Sequence, residues 1–276
     1  MTNIQFYECP VVFPYYGGKF QLSRQLIKMF PTHERYFEVF AGGLSTFFRK
    51  KKAKISVVND IDNDIVNLYT CVIKEFDKLI DTLLWIPKSR TYFNDAKSSV
   101  LEHKDIEIPN VERAAMYFYL IRNAFNKIPY GTFSKTSTWN TNEIIENLKY
   151  SRTYFDKTTI ENLDFRKLIV DYKPTKGDMW YLDPPYIIAT ERGDYYMHNF
   201  GINEHEDLRE CADLIDRQDG KFMISYDDRE VIREMYSDYN IVEIETQYAG
   251  RNADDVKYFI ELVIMNYEPI SQVEMF

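Results

Sequence analysis

The chain has 276 residues, 45% of them hydrophobic, with a formal net charge of −9, long enough for one large domain with an insertion or two unequal domains. No apolar run reaches the roughly 18 residues of a membrane span, Met1-Thr2-Asn3-Ile4-Gln5 lacks the features of a secretory signal, and Cys9, Cys71 and Cys211 lack metal-ligand spacing. A cytoplasmic protein with no membrane and no metal partner is expected, and the acidic balance excludes nucleic-acid binding through the overall field, leaving only a local basic face for such a role.

Residues 10–18 hold two prolines and two glycines without helical period, and residues 19–30 carry apolar side chains at Phe20, Leu22, Leu26, Ile27 and Phe30, a loop feeding a helix. A Tyr15-Tyr16-Gly17-Gly18-Lys19 loop lets backbone approach a ligand beside aromatic faces and a mobile cation, or is a plain turn before the helix. Residues 35–40 read as a strand, Ala41-Gly42-Gly43 as a tight turn and residues 44–50 as the start of a helix. That is the first strand-turn-helix of a nucleotide-binding fold, in which Gly42 exposes bare backbone to a cofactor and Glu38 accepts hydrogen bonds at the strand end. The basic run at residues 49–54 reads as a solvated helix end rather than a nucleic-acid contact. A second strand follows at 55–59, and Asp60 at its end is placed to accept both ribose hydroxyls of a nucleoside. Asp62 and Asp64 are candidate caps of a helix over 65–73.

Between residues 87 and 156 the pattern changes. One amphipathic helix, 111–125, precedes a stretch at 126–135 that mixes turn formers, aromatics and lysines. Seven basic residues against three acidic ones between 113 and 157 give a local balance of +4. Arg122, Asn126, Lys127, Tyr130 and Lys135 are therefore candidate contacts to DNA, with aromatics for stacking beside cations for phosphates. A short strand at 159–162 ends near Asp164 and Phe165, where Asp164 is also a candidate helix cap.

Residues 179–182 form a short, apolar, aromatic strand that stops at Asp183-Pro184-Pro185-Tyr186, because two prolines cannot continue a ladder. Asp183 then sits at the carboxyl end of a strand, the edge at which open α/β sheets bind ligands. Its carboxylate and the Pro184 carbonyl could face one small donor such as an exocyclic amine, and Tyr186 offers a flat face to that donor's ring. Helices at 204–217 and 228–236 and strands at 221–225, 241–246 and 258–265 complete an alternating α/β pattern.

The stretches Phe13-Pro14-Tyr15-Tyr16-Gly17-Gly18-Lys19, Tyr36-Phe37-Glu38-Val39-Phe40-Ala41-Gly42-Gly43, Asn59-Asp60-Ile61-Asp62 and Asp183-Pro184-Pro185-Tyr186, in that order, resemble the N6-adenine DNA methyltransferases of the Dam-like (D12) class. The resemblance covers nearly the whole chain and is loose between about residues 87 and 156. It implies a Rossmann-like mixed sheet with helices on both faces, built from residues 1–86 and 157–276, and a smaller, mostly helical target-recognition domain at 87–156. It also implies S-adenosylmethionine as cofactor, with Tyr15 or Tyr16 and Lys19 near it and Asp164 and Phe165 flanking its adenine. Asp183, Pro184 and Tyr186 would hold the amine and ring of an adenine taken out of double-stranded DNA by a monomer or weak dimer. The family usually has a glycine where Leu44 stands, which puts close backbone approach there in question. Two other readings are a methyltransferase for RNA or a protein amide, whose members more often have Asn at the place of Asp183, and a silent DNA-binding module that keeps the fold.

Overall fold

Period-two alternation decides the layers. Along the strands, Tyr36, Val58, Met179, Tyr181, Met223 and Val263 face one buried cluster, while Phe37, Val57, Trp180, Leu182, Ile224 and Leu262 face a second on the other side. The computed structural model describes residues 12–15, 17–103, 106–186, 200–249 and 256–269.

The strands are β1 Arg35–Glu38, β2 Ile55–Asn59, β3 Thr158–Glu161, β4 Asp178–Leu182, β5 Lys221–Asp227, β6 Asn240–Ala249 and β7 Val256–Met265. They form one seven-stranded sheet in the order β3-β2-β1-β4-β5-β7-β6. β3 through β5 are parallel, whereas β7 runs antiparallel to both β5 and β6. The chain builds outward from β1 in both directions, so the switch point of this α/β sheet lies between β1 and β4.

The helices are α1 Ser23–Met29, α2 Asn63–Lys74, α3 Phe76–Leu84, α4 Arg90–Glu102, α5 Val111–Asn123, α6 Thr141–Tyr154, α7 Phe165–Tyr172, α8 Ile202–Arg217 and α9 Glu230–Met235. Leu168 and Ile169 of α7 and Leu208, Ala212 and Ile215 of α8 cover the face of the second cluster. On the other face, Phe93 of α4, Ala114, Ala115, Phe118 and Ile121 of α5 and Leu148 of α6 are buried in the same cluster as Leu68 and Tyr69 of α2 and Phe13. The helices of residues 87–156 therefore share one continuous core with the sheet. No described helix is long and apolar enough to cross a membrane.

One buried network ties that region together. Arg113 of α5 reaches Asp64 of α2 through Nε at 2.5 Å and Nη2 at 2.9 Å, and Tyr130 donates its phenol to Asp64 Oδ2 at 3.2 Å. Asp64 is thus an ion-pair centre, and the cap of α2 is Asp62, which accepts from the Asp64 amide at 2.8 Å.

Three expectations need correction. Residues 44–50 form successive turns instead of a helix, starting at Leu44, whose φ of 53 is left-handed. The basic run ends no helix and is solvated only in part: Lys51, Lys52 and Lys54 are exposed, but Arg49 is 3% and Lys50 4% exposed. The Arg49 guanidinium lies 3.7 Å over the Phe20 ring and donates to Ser23 Oγ at 3.1 Å, and the Lys50 ammonium lies 4.0 Å over the Tyr36 ring. Residues 87–156 carry α4 and α6 beside the one expected helix, and α3 precedes them.

Candidate active site at the carboxyl edge of the parallel strands

The edge is built first by glycines. The turn after β1 carries Gly42 at φ 45, and a Cβ there would meet the Tyr15 ring at 3.2 Å. A Cβ on Gly43 would stand 2.6 Å from the Phe13 carbonyl oxygen, closer than real Cβ contacts come. Only a bare backbone lets the 13–19 loop lie on this turn. That loop in turn delivers Lys19 to the site, while Tyr16 lies outside the described residues.

The Asp60 carboxylate follows β2 and closes the turn from the other side. Its Oδ2 accepts from the Gly42 amide at 2.9 Å and its Oδ1 from the Asp62 amide at 3.0 Å. Asn59 knits three strand ends together, donating to Val39 O at 2.9 Å and Leu163 O at 3.0 Å while accepting from the Leu163 amide at 2.9 Å. Asp164 is the cap of α7, accepting from the Arg166 amide at 2.9 Å, and pairs with the Arg166 guanidinium at 2.8 Å. Phe165 is buried and packs on Phe40 and Phe200 at centroid distances of 5.7 and 5.8 Å. Tyr15, Gly42, Asp60, Asp164 and Phe165 thus line one continuous edge across the ends of β1, β2 and β3.

Glu38 ends β1 and is buried. It accepts from Tyr36 Oη at 2.7 Å and Thr46 Oγ1 at 2.8 Å. Burial pushes its carboxyl up to about 7, the two donors pull it down, and nearby Asp183 adds to the rise.

Across β1, the end of β4 holds the second acid. Asp183 Oδ1 receives the Lys19 ammonium at 2.8 Å and the Ser225 hydroxyl at 2.9 Å. The Lys19 ammonium also donates to Gly17 O at 3.1 Å and stands 4.4 Å from the Tyr186 ring centroid. Pro184 is buried at the turn, and the Tyr186 phenol donates to Glu261 Oε2 at 2.6 Å. Lys19 therefore has the acid and the ring of the tetrapeptide as neighbours, which its place in a glycine loop did not suggest. Ser225 and Glu261 were not singled out from the sequence; a serine and a glutamate inside otherwise apolar strands were the available signal.

The candidate DNA contacts divide. Arg122 is 8% exposed and pairs with Glu143 at 3.3 Å. Lys127 donates to the Arg122 carbonyl at 3.0 Å, and burial lowers its pKa from the ordinary lysine value. Tyr130 belongs to the Asp64 network. These three brace the region from within, whereas Asn126 and Lys135 are exposed. Beside Lys135 the structure adds two exposed cations, Lys88 and Arg90, lying 5.7 and 5.8 Å from the Phe133 ring. Arg251 and Cys9 lie outside the described residues.

Comparison with known proteins places these motifs in context. The family model described as D12 class N6 adenine-specific DNA methyltransferase matches residues 15–249. The chain is similar to the Type II methyltransferase M1.LlaDCHI of Lactococcus lactis subsp. cremoris, 28% identical over 91% of this chain and 93% of the relative. It is also similar to the Type II methyltransferase M.MjaIII of Methanocaldococcus jannaschii, 23% identical over 91% of this chain and 96% of that one. The DNA adenine methylase of Haemophilus influenzae is 24% identical over 84% of each.

Proposed function

The chain belongs to the D12 class N6 adenine-specific DNA methyltransferases, and on that premise we propose that it transfers a methyl group from S-adenosylmethionine to N6 of an adenine turned out of double-stranded DNA. The carrying observation is the tetrapeptide at the switch point, where Asp183 has one oxygen, Oδ1, occupied by protein donors.

The donor set fits the cofactor. A ligand with a sulfonium, an ammonium and two ribose hydroxyls calls for acids beside bare backbone and an aromatic face. Asp60, held at the end of β2 beside the glycine turn, would take the hydroxyls. Glu38, Gly42, Tyr15 and Lys19 would border the amino-acid part, and Asp164 and Phe165 the adenine. When bound, S-adenosylmethionine supplies an electrophilic methyl group.

The chain's own residues make the target nitrogen reactive and align it. An exocyclic amine is a poor nucleophile because its lone pair is delocalised into the ring. Asp183 and the Pro184 carbonyl, accepting its two hydrogens, favour the pyramidal form in which that lone pair is available. Tyr186 stacks on the base and offsets part of the unstacking cost, a few kcal/mol in base flippers. For DNA, Lys88, Arg90 and Lys135 around Phe133 provide a basic and aromatic face on the proposed recognition segment, residues 87–156.

The test is direct. Purified protein with labelled S-adenosylmethionine and plasmid DNA from a host without adenine methylation should yield N6-methyladenine on digestion and chromatography. Label in cytosine, in added RNA or in protein alone would overturn the reading.

A further inference from the structure

We propose that Ser225 and Glu261, on the antiparallel side of the sheet, are positioning residues that orient the acid and the ring of the tetrapeptide toward the target base. The proposal rests on the function argued above, and goes beyond it in giving β5 and β7 a part in the reaction.

The geometry begins with Asp183. The hydrogen bonds that described residues make to its carboxylate fall on Oδ1, from Ser225 Oγ at 2.9 Å and from the Lys19 ammonium at 2.8 Å. Oδ2 is not among their acceptors. An ionised carboxylate only accepts, so Ser225 must donate to it, and the Tyr181 phenol, 3.1 Å from Ser225 Oγ, must donate to Ser225. Ser225 and Tyr181 are both essentially buried, so this directed chain is fixed in the sheet itself. It pins the carboxylate plane with one oxygen inward and leaves the other for an amine. A carboxylate without that brace would rotate between equivalent poses.

Tyr186 is held in a parallel way. Its phenol donates to Glu261 Oε2 at 2.6 Å and the Lys19 ammonium sits by its ring. Glu261 is 5% exposed and stands opposite Asp227 in the β5–β7 ladder. Burial raises its pKa, as do Asp183 and Asp227, while Lys19 and Tyr186 act the other way. Burying a carboxylate near two other acids is costly, and an apolar pair at 186 and 261 would pack at less expense. The cost is accounted for when the ring's placement matters, because a phenol held at its tip cannot swing about χ1, and the in-plane preference of its donated hydrogen resists turning of the ring face about the Cβ–Cγ axis.

The experiment measures single-turnover methyl incorporation into unmethylated plasmid DNA, S-adenosylmethionine affinity by calorimetry and thermal melting. Glu261→Ala should slow incorporation at least tenfold with affinity within twofold of the parent. Glu261→Gln, whose amide oxygen still accepts the phenol proton, should stay within threefold. Tyr186→Phe should reproduce the Glu261→Ala defect and add less than twofold when combined with it. Ser225→Ala should slow incorporation at least fivefold, again at unchanged affinity. Equal slowing by Ala and Gln at position 261 would mean a packing role and would overturn the proposal, as would full activity of Tyr186→Phe, a readout that stands if Glu261→Ala fails to fold. A parent enzyme that methylates adenine beside an undiminished Glu261→Ala variant would remove the brace and leave the function standing. Should the parent transfer no methyl to DNA, the function fails, and the brace is judged by a crystal structure of Glu261→Ala or, if that chain does not fold, of Tyr186→Phe. Displacement of the residue 186 ring from its place beside Lys19 supports the brace, and an unmoved ring overturns it.

Discussion

Asp60 and Asp183 are both acids just past a parallel strand, on either side of β1, yet they are held in opposite ways. Asp60 is gripped by backbone, one amide on each oxygen, so its place follows from the path of the chain through the glycine turn. Asp183 is gripped by side chains from two distant segments, both on one oxygen. A backbone grip suits a group that binds and then waits. A side-chain grip on one oxygen suits a group that meets the reacting atom with the other, and ties it to residues that can be changed one at a time.

The largest expected effect breaks the Asp183 side. Asp183→Asn should lower methyl transfer by about a thousandfold, about 4 kcal/mol of transition-state stabilisation, with little change in melting or cofactor affinity. Asn is the cleaner replacement, because its amide oxygen can still accept from the Lys19 ammonium, 6% exposed, and from the Ser225 hydroxyl, whereas Ala offers neither donor an acceptor. Near-parental turnover would show that Asp183 does not meet the substrate. Next, Asp60→Ala should weaken S-adenosylmethionine binding about ten- to hundredfold in calorimetry, or roughly 1.4 to 2.7 kcal/mol, with turnover at saturating cofactor within a few fold. Unchanged affinity would move the ribose site elsewhere.

Glu38 lies between the two acids and sharpens the contrast through pH. Its folded carboxyl keeps a proton up to about pH 7, while the unfolded one releases it near 4.5. The folded state binds more protons in that window, so this stabilising contribution is lost as pH rises from about 4.5 to 7. Denaturation series should therefore show the parent losing at least about 1 kcal/mol relative to Glu38→Gln across that range; a constant difference would contradict the buried, proton-holding Glu38. The smallest effect is a control on both acids: Lys135→Ala should reduce the salt slope of DNA affinity by roughly one unit and leave cofactor affinity alone. An unaltered slope would place the phosphate contacts elsewhere.

What was legible in the sequence followed from local chemistry. Two prolines end β4 whatever surrounds them, and a short apolar run marked the strand, so the tetrapeptide was placed at the carboxyl end of β4. The segment after Gly43 was misread in part because Leu44 holds a left-handed conformation that its side chain does not favour, with that side chain buried in the core, 1% exposed. The burial of Arg49 and Lys50 was illegible because the aromatic rings that receive them, Phe20 and Tyr36, come from other segments. The same holds for Arg122 and Tyr130, whose acidic partners, Glu143 and Asp64, are set by helix packing. Ser225 and Glu261 had a faint signal, since a polar residue inside an apolar strand needs a partner, but only the register of β4, β5 and β7 reveals which.

If residues 87–156 read the target as proposed above, the Asp64 network has a consequence for how such a protein acquires a new target sequence. Arg113 of α5 and Tyr130, within the loop between α5 and α6, both end on one carboxylate of α2, so that loop is anchored two residues along the chain from Asp62 and four from Asp60. Its exposed positions, Asn126, Thr132, Lys135 and Thr136, carry none of that anchorage. Drift or deliberate grafting can rewrite those positions while the anchors stay fixed, provided that any exchanged cassette brings an arginine and a tyrosine able to land on Asp64. Lineages could then diverge in the words they mark while inheriting the same pen.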